Sequence, residues 1–197
     1  GDVFDGDTRQ LVFNAQVISR ETDIPLSATF NNIYVRPDQD NLDLFIYNFR
    51  PLYEMGIKIA TIPHTTWVSS GQIQSAFPDL QIKNTILRNV TKPNDIVSLA
   101  KAGFHYINLD RDMMRDRDGL NKVIKAREHC AAIGKPVELS ILANEGCWGG
   151  CSVMDEHYHF NNTRSGKSPQ FFMDPIATNS CLKWHIEDPS SSLKSAN

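Results

Sequence analysis

The 197-residue sequence has few cysteines, no long apolar run and almost no excess of charge. Four cysteines are too few to indicate a disulfide-stapled scaffold, and they favour free thiols or metal ligands instead. The apolar runs are short, as in Leu139–Ala143 with Ser140 inside it, which excludes a membrane span. Twenty basic and 23 acidic residues give a net charge of −3, so no global field favours nucleic acid or an anionic membrane.

The composition is that of an ordinary globular domain, with 41% hydrophobic and 22% charged residues. A chain of this length can bury a core without a staple, and no composition break marks a linker. We therefore expect one domain over residues 1–197. No leader of basic and then apolar residues opens the sequence, which predicts a cytoplasmic protein.

Five short β-rich runs recur along the sequence and start 23 to 32 residues apart. They are Leu26–Ile33, Ile57–Ile62, Ile82–Leu87, His105–Leu109 and Val137–Leu142. Helical patterns fill the gaps, and strands that alternate with helices predict parallel pairing through right-handed crossovers. The predicted fold class is α/β, a parallel-stranded (β/α) barrel of TIM type. Because a full barrel needs about 250 residues, we expect it to be incomplete or distorted, or the chain to lack its end.

Capping residues predict three helices between these runs. They cover Leu42–Met55, the stretch from Thr91 to Gly103, and the stretch from Asp118 to Gly134. Pro51 is expected to bend or break the first helix, and Leu11–Val17 reads as a weak β-like segment.

The third helix is predicted to bury one apolar face. Its members are Leu120, Val123, Ile124, Arg127 and Ala131. Cys130 lies near the angular position of Val123, which predicts a buried structural thiol.

Polar residues follow each predicted strand. They are Asn31 and Asn32, His64 and Thr65, Arg88 and Asn89, Asp110 and Arg111, and Asn144 and Glu145. The carboxyl ends of barrel strands converge on one rim where substrates bind, so these residues are candidate site residues. Each taken alone is also explained as a loop residue that satisfies nearby backbone groups, and Arg111 could pair with a neighbouring aspartate.

Residues 144–185 are rich in cysteine and histidine. Cys147 and Cys151 lie on a glycine-rich loop directly after the fifth strand, and His157 and Cys181 follow. Gathered thiolates select zinc or an iron–sulfur cluster, with His157 as the candidate fourth ligand. Two ordinary loop thiols and a redox-active disulfide are the alternatives.

The Asn144-Glu145-Gly146-Cys147 turn, together with Cys151, His157 and Cys181, resembles the collagenase-like peptidase family, group thirty-two among peptidases of unknown catalytic type. The resemblance extends to short, uncharacterised members of the family, including phage-encoded ones, and a phage origin would place the protein in the host cytoplasm. The resemblance implies a barrel with a cysteine-bound centre. The family name implies proteolysis, whereas several relatives resemble oxygen-independent hydroxylation factors that use a four-iron (4Fe-4S) cluster.

Three functions are therefore open. The first is a metal- or iron–sulfur-dependent modifying enzyme, hydroxylation-like in its chemistry, acting on a small molecule, a peptide or RNA. Its candidate residues are Glu145, His64 and Asp110 for catalysis, Asn31, Arg88, Arg111 and Asn144 for substrate binding, and Cys147, Cys151, Cys181 and His157 for the metal. The second is a zinc-dependent peptidase, although no Gly-x-Ser-x-Gly or His-Glu-x-x-His motif occurs. The third is a binding module with a structural metal; the oligomeric state is open in all three.

Overall fold

The structure, a computed structural model, describes residues 6–142. Its five strands are β1 Ser27–Thr29, β2 Ile59–Ile62, β3 Gln81–Asn84, β4 Tyr106–Asn108 and β5 Glu138–Ser140. Its six α-helices are α1 Gly6–Thr22, α2 Gln39–Glu54, α3 Thr65–Ser69, α4 Gln72–Ala76, α5 Pro93–Ala102 and α6 Arg117–Ala132. Short 3₁₀ turns lie at Ile86–Arg88 and Arg111–Arg115. Within this part of the chain, no helix is long and apolar enough to cross a membrane.

The five strands form one parallel sheet in the order β1-β2-β3-β4-β5. Ala60 pairs with Ala28 on one side and Ile82 on the other, and Ile107 pairs with Leu139. Each crossover moves to the next position in the same direction. Because such crossovers are right-handed as a rule, the connecting helices are expected on one face of the sheet. The predicted α/β class is confirmed, and the sheet is compatible with an incomplete (β/α) barrel.

Each of the five β-rich runs contains an observed strand or overlaps one. The strands are shorter than the runs, as in β4, which occupies three residues of His105–Leu109. Alternate residues of β3 are buried, with Ile82 and Asn84 covered and Gln81 and Lys83 partly exposed. This alternation places one face of the sheet against the helices.

Helix α2 packs on the sheet through an aromatic cluster. Asp38 caps the helix by accepting a hydrogen bond from Asn41 N at 3.0 Å. Phe49 is completely buried, stacks on Phe45 with a centroid distance of 5.6 Å, and meets the edge of Phe77 at 5.1 Å. These rings join α2 to the segment before β3, and so fix the helix over the first strands.

Pro51 does not break α2, so the predicted break at this residue is wrong. The helix continues through Pro51 to Glu54, and Met55 N donates to Pro51 O at 3.0 Å. The only helical bond that Pro51 cannot make is the one to the carbonyl of Tyr47, a residue that is 74% exposed. Water can satisfy that carbonyl, so the proline is tolerated one turn from the helix end.

The β-like interpretation of Leu11–Val17 is wrong, since this segment lies within α1. Its β-branched residues suggested a strand, but the sequence has no glycine or proline between Gly6 and Pro25 to interrupt a helix. A hydrogen bond from Gln10 Nε2 to Asn14 Oδ1, one turn apart, accompanies the helical form.

Helix α6 differs from its prediction in its cap and its buried face. Asp116, rather than Asp118, caps it by accepting from Gly119 N at 2.8 Å. Ala126 is buried, whereas Ile124 is 45% exposed. The buried residues of α6 are Val123, Ala126 and Cys130, and of the expected face only Val123 is among them. Ala131 is exposed as well. The prediction for Cys130 is confirmed, because its side chain is completely buried.

Replacing Phe49 by alanine should lower the free energy of unfolding by about 3–5 kcal/mol, because a fully buried ring leaves a cavity among its aromatic neighbours. Tyr47→Ala on the exposed side of α2 is the matched control and should change it by no more than about 0.5 kcal/mol. Chemical denaturation of the three proteins measures the difference. Similar losses for both variants would contradict the packing described for α2.

Stability should fall below about pH 6.5, in part because of His105. Its Nδ1 accepts a hydrogen bond from Ile82 N at 3.0 Å, and burial lowers the pKa of the imidazole. The unfolded chain therefore takes up a proton at a pH where the folded chain does not, so stability decreases as the pH falls through that range. His105→Asn keeps an acceptor near the Nδ1 position without titrating there. Unfolding curves at about pH 7.5 and 5.5 should show a smaller acid-induced loss in this variant than in the original protein, and equal losses would refute this role.

Candidate functional site

Five of the residues that were given a catalytic or binding role lie in the described part of the chain, all in segments that follow a strand. Asn31 follows β1, His64 follows β2, Arg88 follows β3, and Asp110 and Arg111 follow β4. Because the strands are parallel, these segments leave the sheet at the same edge. The remaining candidates, which are Asn144, Glu145, Cys147, Cys151, His157 and Cys181, lie outside the described residues.

His64 and Arg88 are in direct contact. His64 precedes α3 and is buried, and its ring packs edge-on against Trp67 with a centroid distance of 4.8 Å. Arg88 Nη2 lies 3.4 Å from His64 Nδ1. Since a guanidinium can only donate, Nδ1 must accept, and the proton of the neutral imidazole then lies on Nε2. This contact links the loop after β2 to the loop after β3.

The surroundings of His64 keep it neutral. Burial lowers its pKa most, the positive charge of Arg88 lowers it further, and the backbone of Val35 partly opposes both effects. Nε2 is shielded from solvent and has no hydrogen-bond partner of ordinary geometry among residues 6–142. A neutral imidazole with a protonated Nε2 is suited to donate a hydrogen bond to a substrate oxygen.

One edge of the Arg88 guanidinium is already engaged. Nε and Nη2 both donate to the carbonyl of Pro63, at 3.0 and 2.6 Å. The bidentate grip on a carboxylate or phosphate expected from the sequence would therefore have to use the other edge, at Nη1. The observed contacts make Arg88 a clamp on the Pro63-His64 turn.

Asp110 and Arg111 lie in the segment that follows β4, at the same edge of the sheet. Asp110 caps the 3₁₀ turn by accepting from Asp112 N at 2.9 Å, and its own N–H donates to Val90 O at 2.9 Å. Asp112 pairs with Arg115 at 3.0 Å. Arg111 is 4% exposed, so a second guanidinium is buried at this edge.

Asn31 lies at a cavity of about 550 Å³ between β1, α2 and α3. Other residues at its wall are Phe30, Phe45, Asn48, Pro63 and Trp67. The cavity thus adjoins the turn that carries His64, and its size is in the range of small-molecule sites. Asn32, the other polar residue expected after the first strand, lines the cavity as well.

Sequence reasoning missed two wall residues of this cavity. Trp67 is 4% exposed, and neither its indole Nε1 nor Oδ1 of the half-buried Asn48 has a hydrogen-bond partner within residues 6–142. The spacing of Asn41, Leu44 and Asn48 would place them on one face of a helix. This spacing was the sequence pattern that could have indicated the cavity wall, but only the fold shows that Trp67 lies opposite these residues.

It also missed a pair of asparagines that joins β3 to β4. Asn108 N donates to Asn84 Oδ1, and Asn108 Nδ2 donates to Asn84 O, both at 2.6 Å. Asn84 Nδ2 donates in return to Asn108 O at 3.1 Å. Ser140 Oγ donates to Asn108 Oδ1, which extends the network to β5. These bonds continue the pairing beyond Lys83 and Tyr106, the single register pair of the two strands.

No cluster of three or more histidine, cysteine or acidic side chains occurs among the described residues. Cys130 is buried in α6, and burial raises the pKa of its thiol, which disfavours the thiolate that a metal would need. The four predicted ligands all belong to the segment that follows residue 142.

Replacing Arg88 by glutamine should raise the pKa of His64, because the nearby positive charge is removed. The pKa of His105, which burial alone lowers, should not change and provides the internal control. Titration of the imidazole resonances by NMR measures both. An unchanged pKa of His64 in the variant would show that the two groups are not coupled.

Comparisons with known proteins give little beyond the fold. No protein family matches the chain, and no curated protein matches it. Three chains of solved structures match, among them the U32 peptidase Mk0906, which is 12% identical with a TM-score of 0.49. The match covers 66% of this chain and 50% of the peptidase, so the chain spans about half the length of that protein. The likeness is weak, and the fold assignment rests on the strand order described above.

Proposed function

We propose that the protein is an enzyme that modifies its substrate at the carboxyl edge of the sheet, with a thiolate-bound metal or iron–sulfur centre. The observation that carries the proposal is the parallel strand order. β5 ends at Ser140 and is paired with β4, so the chain leaves towards residue 143 at the edge where His64, Arg88 and Arg111 lie. This exit of the described chain at Leu142 supports the proposal that the residues after it contribute to the site.

In this proposal Cys147, Cys151 and Cys181 hold the centre, with His157 as a further ligand. Three thiolates and one exchangeable position suit a four-iron cluster or a zinc ion. Such a cluster supplies electron transfer when it is bound, whereas zinc supplies Lewis acidity.

The chain's own residues provide the rest of the site. His64 is neutral and carries its proton on Nε2, so it can donate to a substrate oxygen after a small movement of the ring or of Val35. Arg111 provides a buried positive charge for an oxygen that becomes more negative during the reaction. Asn31 and Asn144 bind the substrate, and Asp110 and Glu145 are the carboxylates available for proton transfer.

Metal analysis after anaerobic purification tests the proposal. We expect iron and acid-labile sulfide in equal amounts, and loss of both in Cys147→Ser, Cys151→Ser and Cys181→Ser. Cys130→Ala is the matched control, because Cys130 is buried in α6 and should not affect metal content. Circular dichroism of each variant verifies that the fold persists.

Each alternative result has a defined meaning. Stoichiometric zinc without iron would replace the cluster by a zinc site and support the hydrolase hypothesis. The proposed centre would be refuted if all three serine variants kept the metal content of the original protein, or if the original protein held no metal. Unfolding of the whole chain on chelation would show that the metal is structural.

A further inference from the structure

His64 and Arg88 meet in a contact that only one protonation state of the imidazole allows. Arg88 Nη2 lies 3.4 Å from His64 Nδ1, and a guanidinium nitrogen always carries its protons. Nδ1 can therefore accept from Arg88 only while it holds no proton itself. Once Nδ1 is protonated, two hydrogen-bond donors and two positive charges face each other at this distance.

The described surroundings of His64 do not compensate for a second positive charge. The residue is 4% exposed, so water screens the ring little. Its described neighbours besides Arg88 are uncharged: the ring of Trp67, at a centroid distance of 4.8 Å, and the backbone of Val35. Among residues 6–142, Arg88 is the charged side chain that acts on the imidazole, and no carboxylate opposes it. An imidazolium ion and Arg88 would therefore repel each other without a counter-ion.

Arg88 is the partner that can move, because it is exposed whereas His64 is buried. The 3₁₀ turn that carries Arg88 is held independently, since Leu87 is buried and its N–H donates to Thr85 Oγ1 at 3.3 Å. The guanidinium can rotate into water while this turn stays folded. Its departure breaks the bonds from Nε and Nη2 to the carbonyl of Pro63, at 3.0 and 2.6 Å. These two bonds favour the closed arrangement while the imidazole is neutral.

We propose that the Pro63-His64 turn is a proton-operated switch, in which protonation of His64 at Nδ1 releases the guanidinium of Arg88 from both Nδ1 and the carbonyl of Pro63. In the closed form Arg88 joins the loop after β2 to the loop after β3. In the open form this link is lost, and His64 and Arg88 are separate cations. A proton from solvent binds the open form better, because Arg88 no longer repels it, so the open form gains population as the pH falls.

The switch rests on the proposed function only for its consequence at the candidate site. There the open form replaces a neutral hydrogen-bond donor by an imidazolium ion and frees the edge of Arg88 that Pro63 occupies. The movement itself requires no metal centre. A protein that shows the movement but holds no metal would refute the proposed function and leave the switch intact. A metal-containing protein without the movement would refute the switch alone.

NMR of the ¹³C,¹⁵N-labelled full chain tests the switch between about pH 8 and pH 5. The Nε–H resonance of Arg88 reports the bond to Pro63, and the imidazole resonances of His64 report its protonation. Both are assigned by triple-resonance experiments on the unaltered protein. We expect them to change with one shared midpoint, from one tenth to nine tenths of the change over about two pH units, as the uptake of a single proton requires. Circular dichroism at each pH verifies that the fold persists.

Two histidine variants form a matched pair of controls. His64→Asn keeps an oxygen near the position of Nδ1, which can accept from Arg88 but does not titrate, so the Arg88 resonance should stay constant over the whole range. His105→Asn removes a different imidazole, the one that accepts from Ile82 N at 3.0 Å. In this variant the Arg88 resonance should change with the same midpoint as in the original protein.

The switch is refuted if His64 takes up its proton while the Arg88 resonance stays unchanged, because the contact then survives the added charge. It is also refuted if the Arg88 resonance changes in His64→Asn with the original midpoint, since another group then causes the change. Unfolding of the chain before His64 titrates would refute it as well. The first and third outcomes are measured on the unaltered protein, so they do not depend on whether a variant folds.

Discussion

The parallel backbone ladder is the constraint on which the candidate site depends. Ala60 is paired on both sides, with Ala28 and with Ile82, and this register brings the carboxyl ends of the first three strands level. The segments that follow then meet without any long excursion. The Arg88–His64 contact joins two of them, and the bond from Asp110 N to Val90 O joins the next two. A shift in register would separate both pairs.

Burial connects this architecture to the chemistry of the site. The rings around Phe49 hold α2 against the sheet, and Phe45 of the same cluster also forms part of the cavity wall. Trp67 stacks near Phe45 on one side and meets His64 on the other. The packing that stabilises the fold is therefore the packing that removes water from the imidazole and lowers its pKa. The same side chains therefore stabilise the fold and lower the pKa of His64.

The sequence was informative where a local pattern decides the structure. Regular spacing of β-rich runs predicted all five strands, and the position of Cys130 relative to Val123 predicted a buried thiol. It failed where the outcome depends on context, because Pro51 is tolerated near a helix end and α1 is helical despite its β-branched residues. The cavity was missed because it forms between α2 and α3, and no local sequence pattern indicates that these two helices meet. The predicted metal ligands stay a prediction, since they lie beyond residue 142.

The pair formed by Asn84 and Asn108 lies between the two halves of the carboxyl edge of the sheet. β3 and β4 share one register pair, so side-chain amides, and not a backbone ladder, hold the strands together where they approach the site. His64 and Arg88 lie on one side of this seam, and Asp110 and Arg111 lie on the other. The spacing between His64 and Arg111 across this seam therefore depends on the hydrogen bonds between Asn84 and Asn108. A substitution at either asparagine would alter that spacing without removing any of the four side chains on its two sides.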